Sequence, residues 1–290
     1  MSYTAWIILT ASLVGLSCGI IGVFLILRKQ AMMADAISHT VLLGIVLAYL
    51  VTKEVSGPSM LIGGILAGLL TAFLVQWLHS LDVQHDASMG IVFTTLFAIG
   101  VILIATSVGN AHLDVQHALM GEITFIPFHT ISLPITGEIP KATSLLLVVF
   151  VIILFFIIAF YKEWKITAFD PALAASLGLP VLFLHYLFMS LVSITTVASF
   201  DAVGAIMVVA MLITPAASAY LWTDRLFMML ILSGVFGVVS AVLGYYVAAW
   251  IDTSISGSMA FMTGVIFIIS FIFSPKHGLI AKHVRPVEEI

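Results

Sequence analysis

Apolar residues in this chain gather into long runs, and polar and charged residues collect in the short intervals between them. Runs of about 17 to 25 apolar residues, the length a helix needs to cross a hydrocarbon core about 30 Å thick, fall at 5–27, 31–51, 59–78, 89–107, 143–161, 181–199, 203–221, 226–250 and 257–273. The pattern predicts nine membrane-spanning helices. The first run starts near the N-terminus, yet it reads poorly as a signal peptide, because Arg28 and Lys29 follow the apolar core instead of preceding it and the core is long enough to span. It is taken as the first helix. The interval from Val108 to Lys141, broken by Pro127, Pro134 and Pro140, is too interrupted for a span. An outer loop with a short helix and a re-entrant piece packed on protein is expected there.

Composition strengthens this picture. Of 290 residues, 62% are apolar and 8% charged, with a mean hydropathy of +1.25, which sets the chain apart from soluble domains. We therefore expect an all-α polytopic membrane bundle forming one domain over residues 1–290. The net charge of −4 has no basic block, so nucleic acid is not a partner. Cys18 is the single cysteine, which leaves no disulfide framework and no thiolate metal cluster within the chain. With the N-terminus outside, Arg28, Lys29, Lys162, Lys165, Arg225, Lys276, Lys282 and Arg285 fall on the inner side, and only Lys53 and Lys141 fall outside. The positive-inside rule thus predicts an N-out, C-in orientation.

Small residues at four-residue spacing, Gly15 and Gly19, Gly64 and Gly68, and Gly204 with Val208, predict faces where backbones approach closely in lipid. Pro215 sits inside the seventh span and removes one backbone hydrogen bond, so a kink is expected there.

Against this background the stretch AMMADAISHTVLLGIVLAYL, residues 31–50, carries two expensive residues, Asp35 and His39. Positions i and i+4 share a helix face, so both side chains point the same way, beside Ser38. Counting about 1.5 Å per residue from Arg28, Asp35 lies roughly 10 Å deep and His39 roughly 16 Å deep. A central Asp costs about 2.5–3.5 kcal/mol to insert. Two accounts fit such a pair. In one, each is satisfied by a neighbouring helix. In the other, carboxylate oxygen and imidazole nitrogen serve as ligands for a first-row divalent cation on its way through. Two ligands do not complete a site, and Asp201, at the join of the sixth and seventh spans, and Glu122, in the outer loop, are the carboxylates placed to help or to cap helix ends. The tract HSLDVQHD, with His79, Asp82, His85 and Asp86, reads as a solvated turn. His185, early in the sixth span, is open between pathway and packing.

The energy source is constrained too. No lysine is followed by Ser or Thr, so the chain lacks the phosphate loop G-x-x-x-x-G-K-[ST]. H-E-x-x-H and G-x-S-x-G motifs are also missing, which argues against a metalloprotease or serine hydrolase. Between the fifth and sixth spans, Asp170 and Pro171 open a short helix as cap and first-turn residue, and Gly178 followed by Pro180 ends it. A helix at about 168–179 between two spans has the shape of a dock for a cytoplasmic motor, or of an ordinary interfacial helix.

Four stretches, LRKQAMMADAISHTVLLGIVLA, ASMGIVFTTLFAIGVIL, FDPALAASLGLP and VGAIMVVAMLITPAASA, resemble in order the permeases of ATP-binding-cassette importers for manganese, zinc and iron, the manganese members above all. The resemblance implies a multi-pass subunit of the bacterial plasma membrane that transports without being an enzyme itself and holds no permanent cofactor. A cytoplasmic ATPase would use ATP, docked at Asp170, Pro171 and Gly178, and an extracellular solute-binding protein would deliver Mn2+ or a related ion. A second permease subunit, identical or paralogous, would complete the dimer within membrane lipid. Asp35 and His39 match the family's ion-path motif, and Asp201 matches more loosely. A proton-coupled secondary metal transporter is the rival reading of the same residues.

Overall fold

A computed structural model describes residues 3–53, 58–107, 123–128, 130–133, 137–275 and 278–279. Its helices are α1 (Tyr3–Leu27), α2 (Met32–Thr52), α3 (Pro58–Ser80), α4 (His85–Ser107), α5 (Lys141–Ala159), α6 (Tyr161–Phe169), α7 (Pro171–Ser176), α8 (Val181–Val203), α9 (Ala205–Trp222), α10 (Leu226–Ile251) and α11 (Ile255–Phe273). Among the described residues, nine of these are long and apolar enough to cross a membrane, and they coincide with the nine apolar runs. Helix formation follows from the solvent: in hydrocarbon every backbone N–H and C=O must be satisfied within the segment.

The boundaries differ from the runs where polar groups join a helix. The fourth helix begins at His85 rather than 89, and the eighth element extends through Asp201 to Val203, so Asp201 belongs to the last turn of α8 rather than to a join. Gly204 has a further role: buried and at φ +82°, it ends α8 and opens α9 in a conformation that favours glycine. In the described part of the loop, a 3-10 turn at Ile123–Phe128 precedes two antiparallel strands, β1 (Thr130–Leu133) and β2 (Gly137–Pro140), paired Thr130 to Pro140 and Leu133 to Gly137. Glu122 lies outside the described residues. Pro215 is buried within α9, which continues through it.

Two groups of helices make the bundle. Helix α1 packs on α10 and α9, which also hold α11; α2 packs on α3 and α4, and α3 packs on α8. Close approach holds each group together. A Cβ built on Gly15 would lie 2.6 Å from the Gly237 carbonyl, and the Ser233 hydroxyl donates to the Gly19 carbonyl at 2.7 Å. In the second group a Cβ on Gly44 would lie 2.1 Å from the Gly63 carbonyl oxygen, and one on Gly68 would meet the Ser193 side chain at 2.4 Å. Lipid offers no hydrophobic drive between helices, so such contacts supply dispersion in its place.

After α5 the backbone breaks at Phe160 and α6 runs on with Trp164 fully buried. The Trp164 ring lies edge-on to Phe24 and Phe188, with centroids 5.8 and 5.7 Å away, and its N–H donates to the Leu184 carbonyl at 3.3 Å. This aromatic cluster fixes α6 against the ends of α1 and α8.

Gly44→Val is expected to lower the thermal unfolding midpoint of the purified protein, because overpacking costs about 1–3 kcal/mol. Gly264→Ala, whose added methyl meets nothing within 4 Å, should leave the midpoint unchanged or raise it.

Candidate ion-binding site

Helix α2 starts two positions after Gln30 and carries Asp35 in its first turn. The helical spacing does what the sequence suggests. His39 Nε2 stands 3.4 Å from Asp35 Oδ1, one turn along the same face. The imidazole is stacked on Phe93 at 5.7 Å and meets Phe97 edge-on at 5.6 Å, so two turns of α4 hold its ring. The Ser38 hydroxyl does not face the pair: it donates to the Asp35 carbonyl at 2.7 Å. Thr40 and Thr71 hydroxyls, 2.7 Å apart, join the next turn of α2 to α3.

Both side chains remain open. His39 is 37% and Asp35 35% exposed on the surface of the chain. At 3.4 Å their contact is longer than a good charge-assisted hydrogen bond, and such a bond contributes only about 1.5–3 kcal/mol even at good geometry. The pair therefore does not offset its own insertion. Carboxylate oxygen and imidazole nitrogen pointing outward together can ligate a divalent cation such as Mn(II), Fe(II) or Zn(II), with α4 aromatics orienting the imidazole from behind. Among the described residues no cluster of three or more His, Cys, Asp or Glu is preassembled for a metal. A cation held by the pair would take its other ligands from elsewhere or from water. Asp201 is placed by its backbone alone, at the C-terminal turn of α8.

A second polar region sits at the end of the bundle where α1 meets α2. A cavity of about 1010 Å³ is lined by Arg28, Gln30, His79, His85, Thr167 and His185, among others. Three buried polar atoms on these residues, Arg28 Nε, Gln30 Oε1 and His85 Nε2, have no hydrogen-bond partner among the described residues, which suits a water-filled mouth. Burial pushes the Arg28 guanidinium down to about 10, still charged at neutral pH. His79 and His85 pair edge-on at 5.4 Å across the α3–α4 turn, where Asp82 adopts φ +63°. HSLDVQHD thus spans the turn at residues 81–84 with the helix ends on either side of it, and His185 lines a cavity separate from the Asp35 pair.

Beside the same mouth lies the short interhelical helix. The Asp170 carboxylate accepts from the Leu173 N–H at 2.9 Å, Pro171 occupies the first turn, and Gly178 reverses the chain at φ +80°. The helix is shorter than 168–179, because Ala168 and Phe169 belong to α6. Leu173 on it and Leu177 at its C-cap are 50% and 61% exposed, an apolar surface beyond the spans.

Sequence reasoning missed Phe93, Phe97 and the burial of Arg28. The i, i+4 spacing of the two phenylalanines was visible, but in an all-apolar span nothing marks which face meets α2.

A model of the ABC 3 transport family matches residues 1–274. The chain is 57% identical over 285 residues to the manganese transport system membrane protein MntD of Bacillus subtilis, covering 98% of this chain and 97% of that one. It is 40% identical over 280 residues to the zinc transport system membrane protein TroD of Treponema pallidum, covering 96% and 76%. Among solved structures, PsaBC from Streptococcus pneumoniae in complex with Fab aligns with a TM-score of 0.79 at 34% identity, covering 96% of this chain and 94% of that chain.

Asp35→Asn and His39→Ala are each expected to weaken Mn(II) binding by the purified protein by at least about tenfold, or 1.4 kcal/mol, measured by isothermal titration calorimetry. Unchanged affinity in both would remove the pair from the ligand set.

Proposed function

Because this chain belongs to the ABC 3 transport family, we propose that it is the membrane permease subunit of an ATP-driven importer of divalent transition-metal ions, manganese foremost and zinc or iron next. The observation that carries this reading is the Asp35 and His39 pair on α2, a carboxylate and an imidazole inside an apolar span, 3.4 Å apart and each about a third exposed on the surface of the chain. Manganese is favoured by the 57% identical relative, whose name specifies that ion. Affinity order alone would place zinc above manganese, so selectivity is shared with the protein that delivers the ion.

In this reading the N-terminus is outside and the mouth around Arg28 is cytoplasmic, following the distribution of basic residues. A cytoplasmic ATPase binds the helix capped by Asp170 and closed by Gly178, through exposed Leu173 and Leu177. A second permease subunit, identical or paralogous, covers the face carrying Asp35 and His39. That arrangement encloses the ion between two subunits and explains why the pair is a third exposed on one chain. An extracellular solute-binding protein supplies the ion. Asp35 contributes a negative oxygen ligand, His39 a neutral nitrogen ligand held by Phe93 and Phe97, and Asp201 is a further ligand from α8. ATP binding and hydrolysis in the motor move α7 and alternate the exposure of the pair between the two sides.

Cells carrying Asp35→Ala or His39→Ala at matched membrane expression should lose energy-dependent accumulation of radiolabelled manganese by at least about tenfold while retaining association with the ATPase. Collapse of the proton gradient at constant ATP should leave wild-type uptake intact. Uptake that vanishes with the gradient and persists without the ATPase would identify a secondary transporter instead. Asp170→Ala, which removes a cap worth about 1 kcal/mol, is expected to weaken ATPase association measured by co-purification.

A further inference from the structure

The Asp35 and His39 pair on α2 and the α6–α7 segment are remote in sequence, and Arg28, in the turn that leads into α2, bonds to α6. Arg28 Nη2 donates to Thr167 Oγ1 at 3.1 Å across 139 residues of sequence. The same guanidinium lies over the Phe188 ring with its carbon 4.6 Å from the centroid. Thr167 stands three residues before Asp170, the cap of α7, and its hydroxyl donates in turn to the Trp164 carbonyl at 3.3 Å.

From Arg28 onward the chain has no slack. Arg28 N–H donates to the Phe24 carbonyl at 3.0 Å, Lys29 at φ +57° donates to Ile26 at 2.9 Å, and Gln30 donates to Leu25 at 2.8 Å. Met33 and Ala34 N–H groups then bond the Gln30 and Ala31 carbonyls at 3.0 and 3.2 Å, and Asp35 is the next residue. A hydrogen-bonded turn therefore runs from Arg28 directly into the first turn of α2.

The choice of residue is informative. The site is an aromatic cluster of Phe24, Trp164 and Phe188, where an apolar side chain would pack without desolvating a charge. Among the described residues, no carboxylate pairs with Arg28, and its Nε lacks a partner. What arginine supplies and an apolar residue does not is a long reach with two directional contacts, one to α6 and one to α8.

We propose that Arg28 is a positioning residue that couples the ATPase-facing segment to the ion-binding helix, carrying displacement of α6 and α7 through the α1–α2 turn to Asp35 and His39. The inference rests on the permease reading above. Displacement of α7 shifts Thr167 with it, Thr167 draws on the guanidinium, and the rigid turn passes the shift to α2. Physical continuity alone does not establish such a route; an energetic readout does.

The test uses the permease assembled with its ATPase in proteoliposomes, reading metal ions moved per ATP hydrolysed and, separately, the Mn(II) affinity of the complex. Arg28→Gln and Thr167→Val are expected to lower ions moved per ATP by at least about fivefold, the lower end of typical coupling. Hydrolysis and Mn(II) affinity should change by less than about twofold in the same variants. Thr167→Ser, which keeps the hydroxyl, should restore the ratio. If Arg28→Gln fails to assemble, the Thr167→Val and Thr167→Ser comparison carries the same test. Transport and hydrolysis falling in equal proportion, or an unchanged ratio in both variants, would overturn the proposal. An unaltered complex that moves no metal with ATP would overturn the permease reading itself, a distinct result.

Discussion

Desolvation of a single carboxylate organises this molecule. An aspartate in a membrane span costs about 2.5–3.5 kcal/mol even on insertion scales that allow relaxation, and the neighbouring imidazole at 3.4 Å does not return that energy. A divalent cation reverses the balance, because its charge favours the ionised carboxylate and the neutral imidazole together. The surrounding fold can be understood as the means of keeping the two side chains side by side, oriented and outward-facing. Phe93 and Phe97 fix the ring, and the tight packing of Gly44 on Gly63 fixes the helix that bears it.

Such a pair is useful only if it can be presented to either side in turn. Glycine contacts make two stiff helix groups, α1 with α9 and α10, and α2 with α3 and α4. The short turn between α1 and α2 joins these groups at the end where α6 and α7 also lie. The groups also meet through α8 and through packing of α2 on α9, and packed interfaces of this kind switch between arrangements and resist gradual deformation. The site, the turn and the interhelical helix thus form one mechanical unit in the proposed importer.

Much of this was legible in the sequence. Among the described residues the nine apolar runs form nine long helices, because run length and backbone satisfaction leave hydrocarbon few alternatives. Asp35 and His39 share a face because helical spacing requires it, and Asp-Pro at 170–171 opened α7 as a capped helix. The rest depends on which face meets which neighbour, and uniformly apolar spans carry no such signal. Phe93 and Phe97 look like any lipid-facing residues until α2 is placed against them. Arg28 looks like an ordinary interfacial charge, and only the approach of α6 and α8 buries it. Gly204 has the spacing of a packing residue, and that spacing gives no sign of the positive φ with which it also ends α8. The antiparallel strands 130–133 and 137–140 were hidden by prolines that argue against strands, and Pro140 occupies the end of one.

The central claim is that the Asp35 and His39 pair is a direct ligand set for the transported ion. Electron spin echo spectroscopy of Mn(II) bound to the assembled transporter tests it most directly, because imidazole nitrogen on the metal modulates the echo. The account predicts nitrogen modulation in the unaltered protein and its loss in His39→Ala. Bound manganese with the same nitrogen modulation after that substitution, or none before it, would contradict the account.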